Sequence, residues 1–199
     1  MSEFRAETFV RAEIEKSVAT LTALLADHAL LGTVERAAGL CVDALRRGNK
    51  IMFAGNGGSA ADAQHLAAEL VGRLNYDRAP LPALALTTDT SILTAIGNDY
   101  GYEDVFHRQV RALGARGDVL IAISTSGRSK NILRALAAAR DKGVATIGMT
   151  GTGGGEMKSL CDFCLRVPSQ ETAKIQEAHI VLGHILCGLA ERILFPPAA

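Results

Sequence analysis

His65 and Glu69 stand four residues apart in a stretch that reads as helix. That spacing puts them on one face, about 40° apart. An imidazole and a carboxylate so placed can serve as acid and base, or can hold a metal ion between them. A second group lies far along the chain, where Gln176, Glu177, His179 and His184 fall on one long helical stretch. Gln176 and His184 are about 80° apart around that helix and roughly 12 Å along it. They can meet at one site only if it lies beside the helix, between them. Glutamine is an unusual zinc ligand, and a histidine on a helix is commonly a packing or surface residue. Spacing alone therefore leaves both a metal centre and ordinary helix residues open.

Upstream of His65 a short apolar run, Ile51-Met52-Phe53-Ala54, turns through Gly55-Asn56-Gly57-Gly58-Ser59 into a helix read as Ala60 to Val71. Strand, glycine turn and helix start make an anion site. The first helical amides lack partners, the macrodipole leaves that end partly positive, and glycine lets backbone N–H groups approach an anion. Gly55-x-Gly57-x-x-Ala60 also fits a dinucleotide fingerprint, but the acidic residue it needs, Asp89, comes about ten residues too late. Ser124-Thr125-Ser126-Gly127-Arg128-Ser129 follows another apolar run and opens another helix. Its hydroxyls suit a phosphate monoester better than a pyrophosphate, although a plain capped loop has the same composition. Two such loops at strand ends near a sheet's switch point predict a phosphorylated small molecule as ligand.

The elements that would carry these residues alternate. Residues from about Glu3 to Arg47 read as helical, with Val18, Leu21, Leu24, Leu25, then Val34, Ala37, Leu40, Cys41, Ala44 and Leu45 at helical spacing. Five apolar runs follow: Ile51–Ala54, Ala83–Leu86, Val119–Ile123, Val144–Met149 and Phe163–Val167. Helices are expected between them at 60–71, 91–97, 103–113 and 130–142, with a short one after the glycine-rich Gly151–Gly155 and a closing one over 171–194. Asp89 or Thr88 would cap helix 91–97, and Gly143 would stand just past the end of helix 130–142. Continuous apolar strands alternating with helices predict a parallel sheet covered on both faces. One α/β domain spans 1–199 on this reading, with N-terminal helices over 1–48 and the core over 49–199. The leading helix needs something to pack on, and another subunit would serve.

Composition agrees with a soluble globular chain: 199 residues, 48% hydrophobic, 21% charged and a net charge of +0. Nothing in that balance suggests a nucleic-acid or anionic-membrane surface. Met1-Ser2-Glu3-Phe4 lacks a signal peptide's basic start and apolar run, so a cytoplasmic location and reduced thiols are expected. Cys161-x-x-Cys164 lacks a second pair and precedes Leu165-Arg166-Val167, which favours buried filler over half a zinc site.

Asn56-Gly57-Gly58-Ser59-Ala60-Ala61-Asp62-Ala63-Gln64-His65, with Glu69, resembles the first loop and helix of phosphoheptose isomerases. So do Ala95-Ile96-Gly97-Asn98-Asp99, Ile123-Ser124-Thr125-Ser126-Gly127, Met149-Thr150-Gly151 and Ile175-Gln176-Glu177-x-His179. The resemblance runs along essentially the whole chain. It implies the SIS (sugar isomerase) fold, a three-layer sandwich with a five-stranded parallel sheet, in a homotetramer whose active sites lie between subunits. It implies conversion of sedoheptulose 7-phosphate to D-glycero-D-manno-heptose 7-phosphate, the first step toward activated heptose for lipopolysaccharide or capsule. The matching substrate contacts are Asn56, Gly57, Gly58, Asn98, Asp99, Ser124, Thr125, Ser126, Ser129 and Gln176, to which Ser59 and Glu69 are added. The matching ligands of one zinc per subunit are His65, Glu69, Gln176 and His184, and the acid/base pair falls on Glu69 and His184.

Two other readings belong to different classes. The DnaA initiator-associating proteins resemble this chain in the same loops but act as regulatory partners without the acid/base residues. Both Glu69 and His184 are present here, which favours catalysis. A sugar-phosphate sensor joined to a DNA reader is disfavoured, because no helix-turn-helix or basic arm is attached.

Overall fold

The computed structural model describes residues 5–197. Glu3 and Phe4, at the expected start of the leading helix, lie outside the described residues. The helical stretch that follows is two helices, α1 (Ala6–Ala26) and α2 (His28–Arg46), meeting at 77°. The break falls at Asp27, whose carboxylate accepts from the Leu30 N–H at 2.9 Å and so caps α2.

Each of the five apolar runs is a strand: β1 (Ile51–Gly55), β2 (Ala83–Ala85), β3 (Val119–Ile123), β4 (Ala145–Gly151) and β5 (Phe163–Val167). They form one all-parallel sheet in the order β2-β1-β3-β4-β5, with Gly55 registered beside Ile123 at the carboxyl ends of β1 and β3. The period of two divides each run between two cores. Ile51, Phe53, Val119 and Ile121 face one side, where α2, α3 (Gly58–Val71) and α8 (Thr172–Leu194) cover them. Met52, Ala54, Leu120 and Ala122 face the other, beneath α5 (Val105–Leu113) and α6 (Lys130–Lys142). Three layers result, as a sheet buried on both faces requires.

Several boundaries move for local reasons. Helix α3 starts two residues earlier than expected, at Gly58. Helix α4 runs Thr90–Asp99, so Asn98 and Asp99 end the helix where a break before them was expected. Asp89 caps it, accepting from the Ile92 N–H at 2.9 Å. The expected helix from Glu103 opens as a 3₁₀ turn, Tyr102–Asp104, ahead of α5. Helix α6 ends at Gly143 with φ 67°, the left-handed C-terminal geometry that glycine favours. A short α7 (Met157–Leu160) precedes β5.

Helix α1 joins the core only through its C-terminal end, at Leu24. Only Thr20 and Leu24 on it are buried, whereas Val10, Ile14, Val18 and Leu25 are 56–69% exposed. Those four, with Leu21, share one stripe of the helix within about 80°. Among the described residues no single helix is long and apolar enough to cross a membrane.

Candidate active site

Helices α3 and α8 lie side by side and run in the same direction. Near their starts the Gln176 amide presses on Gly58, where a Cβ would sit 2.7 Å from Nε2. Halfway along, Gly183 faces Leu66 with no room for a side chain, since a Cβ would come within 2.5 Å of Leu66 Cδ1. Close approach at that point brings the two helices' polar residues together. His65 Nε2 lies 2.9 Å from His184 Nε2 and 3.1 Å from Glu69 Oε1. One ligand atom from each of the three falls within 4.8 Å of the others. Two ring nitrogens at that separation need a proton between them, or a shared cation. Two imidazoles and one carboxylate converging on one point form a donor set that suits zinc. The expected pair of catalytic residues and three of the four expected ligands are thus one cluster, borne on helix interiors.

The two loops meet at the carboxyl ends of β1 and β3. Gly57 has φ 56°, and a Cβ on Gly55 would sit 2.3 Å from the Ser59 carbonyl, so neither position of the turn tolerates a side chain. Ser59 is buried, and its N–H donates to the Asn56 carbonyl at 3.0 Å as the chain enters α3. Asn56 and Asn131 exchange amide hydrogen bonds at 3.0 and 2.8 Å, and the Tyr102 hydroxyl donates to Asn56 Oδ1 at 3.3 Å. This pair ties the glycine turn to the first turn of α6, and hence to the serine loop before it. In that loop Ser124 Oγ lies 3.0 Å from Ser129 Oγ and 3.5 Å from Ser126 Oγ. The Thr125 carbonyl accepts from the Gly151 N–H at 3.0 Å, anchoring the loop to the end of β4. Hydroxyls gathered ahead of a thirteen-residue helix can bind an anion through both side chains and main chain.

Other expected residues go elsewhere. Asn98 and Asp99 are exposed at the end of α4, where Asn98 Nδ2 donates to Asp99 Oδ1 at 2.8 Å. Gln176, against Gly58, sits two turns up α3 from His65, roughly 10 Å along the axis. Glu177 is exposed and pairs with Lys174 at 3.0 Å. Cys161 and Cys164 are free thiols, and burial pushes Cys161 up to about 12 and raises Cys164. Asn131, Tyr102, Arg78 and Glu191 were not among the expected site residues, yet each holds a loop or helix that carries one.

His179 lies in the fold behind the site. It is fully buried, and neither ring nitrogen has a well-formed hydrogen bond. Burial lowers its pKa from 6.5 to about 4, against a small upward pull from the Thr150 main chain. The folded protein therefore favours the neutral ring. Its contribution is complete above pH 6.5, and is lost as the pH falls from 6.5 to 4, where the unfolded chain binds the extra proton. That window is worth on the order of 3 kcal/mol. Urea unfolding measured across pH 4–7 should show this slope, and His179→Leu should flatten it.

A model of the SIS domain matches residues 14–151 of the chain. The chain is 57% identical to a phosphoheptose isomerase of Burkholderia pseudomallei (strain 1710b), over 97% of this chain and 98% of that one. Its fold is similar to the structure of a phosphoheptose isomerase from Neisseria gonorrhoeae, with a TM-score of 0.88 at 44% identity, covering 94% of this chain and 99% of that one. It is also similar to the structure of a phosphoheptose isomerase from Francisella tularensis, with a TM-score of 0.91 at 37% identity, over 95% and 100% of the two chains.

Proposed function

The chain belongs to the phosphoheptose isomerases of the SIS-domain family, enzymes acting on a sugar phosphate, and we propose that it converts sedoheptulose 7-phosphate to D-glycero-D-manno-heptose 7-phosphate. The observation that carries this reading is the convergence of His65, Glu69 and His184 within 4.8 Å on α3 and α8, with a hydroxyl-lined loop tied to the turn before α3 through Asn131 and Asn56.

On this reading Ser124, Thr125, Ser126 and Ser129 receive the phosphate, with the first amides of α6. Asn56, Gly57, Gly58 and Ser59 line the path from there to the cluster, with Asn98, Asp99 and Gln176 as the remaining sugar contacts. A ketose becomes an aldose when one proton moves between the carbonyl carbon and its neighbour through an enediol. Glu69 removes that carbon-bound proton and returns it to the adjacent carbon. His184 supplies and takes back the proton on the oxygens. His65, Glu69 and His184 would hold a zinc ion, which when bound would polarise the carbonyl as a Lewis acid, while Gln176, against Gly58, is left to the sugar. Glu69 cannot be a strong ligand and a strong base at once, so its working role with sugar bound is that of base. Nuclear magnetic resonance of sedoheptulose 7-phosphate incubated with the purified protein, with and without chelator, tests the assignment. A sugar left unchanged under both conditions would overturn it.

The product would feed activated heptose for lipopolysaccharide or capsule in the cytoplasm. The working form is a homotetramer, supported by the uncovered stripe Val10, Ile14, Val18, Leu21 and Leu25. An apolar face of that length on a helix buries itself against other copies. Ile14→Glu/Val18→Glu should reduce the mass measured by light scattering to that of smaller species. An unchanged mass would place the interface elsewhere.

A further inference from the structure

The cluster depends on how α3 sits against α8, and one buried ion pair joins those helices beyond it. Arg78 and Glu191 have side chains 2% and 0% exposed and lie 3.2 Å apart, Nε to Oε1. Arg78 closes the end of α3: Nη2 donates to the carbonyl of Glu69 itself at 2.7 Å, and Nη1 to the carbonyls of Leu70, Gly72 and Ala79 at 2.7, 3.1 and 3.0 Å. The last carbonyls of a helix lack partners within it, and a cation suits that end of the dipole. Glu191 is equally committed. Oε1 accepts from the Leu74 N–H at 3.0 Å, and Oε2 accepts from the Asn75 N–H and Nδ2, both at 2.9 Å.

The placement along α8 matters as much as the bonds. Glu191 follows His184 by seven residues, two turns on the same face of the helix. On α3 the guanidinium grips the carbonyl of the residue whose carboxylate faces His65. His184 and Glu191 lie on the same side of the Gly183–Leu66 contact, so a slide or roll of either helix that would displace His184 is resisted at the ion pair two turns beyond it. A buried ion pair is weak evidence for stability, since apolar residues of similar volume often do as well. What directional bonds add is geometry.

We propose that the Arg78–Glu191 pair is a positioning device that fixes α3 against α8 and thereby holds His184 against His65 and Glu69. The inference rests on the functional reading above. Arg78→Lys keeps the charge but replaces a fork by a single amine, which cannot reach Glu191 and four carbonyls together. Its kcat for sedoheptulose 7-phosphate should fall about 10–100-fold, with KM within about threefold because the serine loop is untouched. Zinc affinity of the metal-free protein, read by chelator competition, should weaken over the same range. Arg78→Met/Glu191→Leu removes both charges at similar volume and leaves no lone buried charge, so it should melt above either single truncation. It should still melt below the wild type, because the carbonyls of α3 and the N–H groups of Leu74 and Asn75 lose their partners, and it should still lose kcat and zinc affinity. That double variant decides the matter if Arg78→Lys does not fold. Wild-type kcat and zinc affinity in a folded variant, or kcat recovering with melting temperature in the double variant, would overturn the proposal. A wild type that isomerises no sedoheptulose 7-phosphate overturns the functional reading, and the clamp with it. A wild type that does, beside unchanged variants, overturns the clamp alone.

Discussion

Replacing Glu69 by glutamine is expected to lower kcat by about 10²–10⁴-fold, the range that a positioned acid or base contributes. The carboxamide keeps the volume and still reaches the His65 ring, which lies 3.1 Å from Oε1 in the wild type. It cannot accept a proton from carbon. Sugar-phosphate binding should stay within about threefold, because the hydroxyls of Ser124, Ser126 and Ser129 lie on a different strand end. Exchange of the carbon-bound proton with deuterated solvent should vanish along with turnover. Normal turnover in this variant would mean that another group is the base.

Gly127→Ala should act on the other half of the site. Gly127 has φ 64°, and a Cβ there would sit 2.2 Å from the Gly154 carbonyl. Gly155, with φ 53°, leans back on Gly127 in the same way, its own Cβ position 2.4 Å from the Gly127 carbonyl. The serine loop and the loop after β4 therefore touch main chain to main chain, and neither can give way through a side chain. The left-handed conformation alone costs alanine about 1–2 kcal/mol. On a chain of this size that lowers Tm by roughly 2–8 °C. Relief of the contact must shift the serine hydroxyls, so KM should rise on the order of tenfold or more, while kcat holds within a fewfold. A variant with wild-type KM would show that the phosphate is held elsewhere.

What could be read from the chain beforehand was whatever is written locally. Runs such as Val119–Ile123 declare a buried strand by composition, and the glycines after Ala54 declare a tight turn into a helix. His65 and Glu69 share a face by spacing alone. Their meeting with His184, 119 residues away, came from resemblance and not from periodicity. His179 shows the limit clearly. It stands five residues from His184, about 140° around α8, so the same helix carries one histidine to the cluster and buries the other. Asn56 with Asn131 and Arg78 with Glu191 are pairings 75 and 113 residues apart. Neither partner belongs to a local pattern, and only the packed sheet and helices bring them together. The break at Asp27 was a missed local signal, an aspartate poised to cap the helix that follows it.

His65, Glu69 and His184 ride inside the bodies of α3 and α8, with no hinge or flap of their own. Such carriage leaves little that can soften on warming before the molecule as a whole comes apart. Heat should silence the chemistry and the fold in one step.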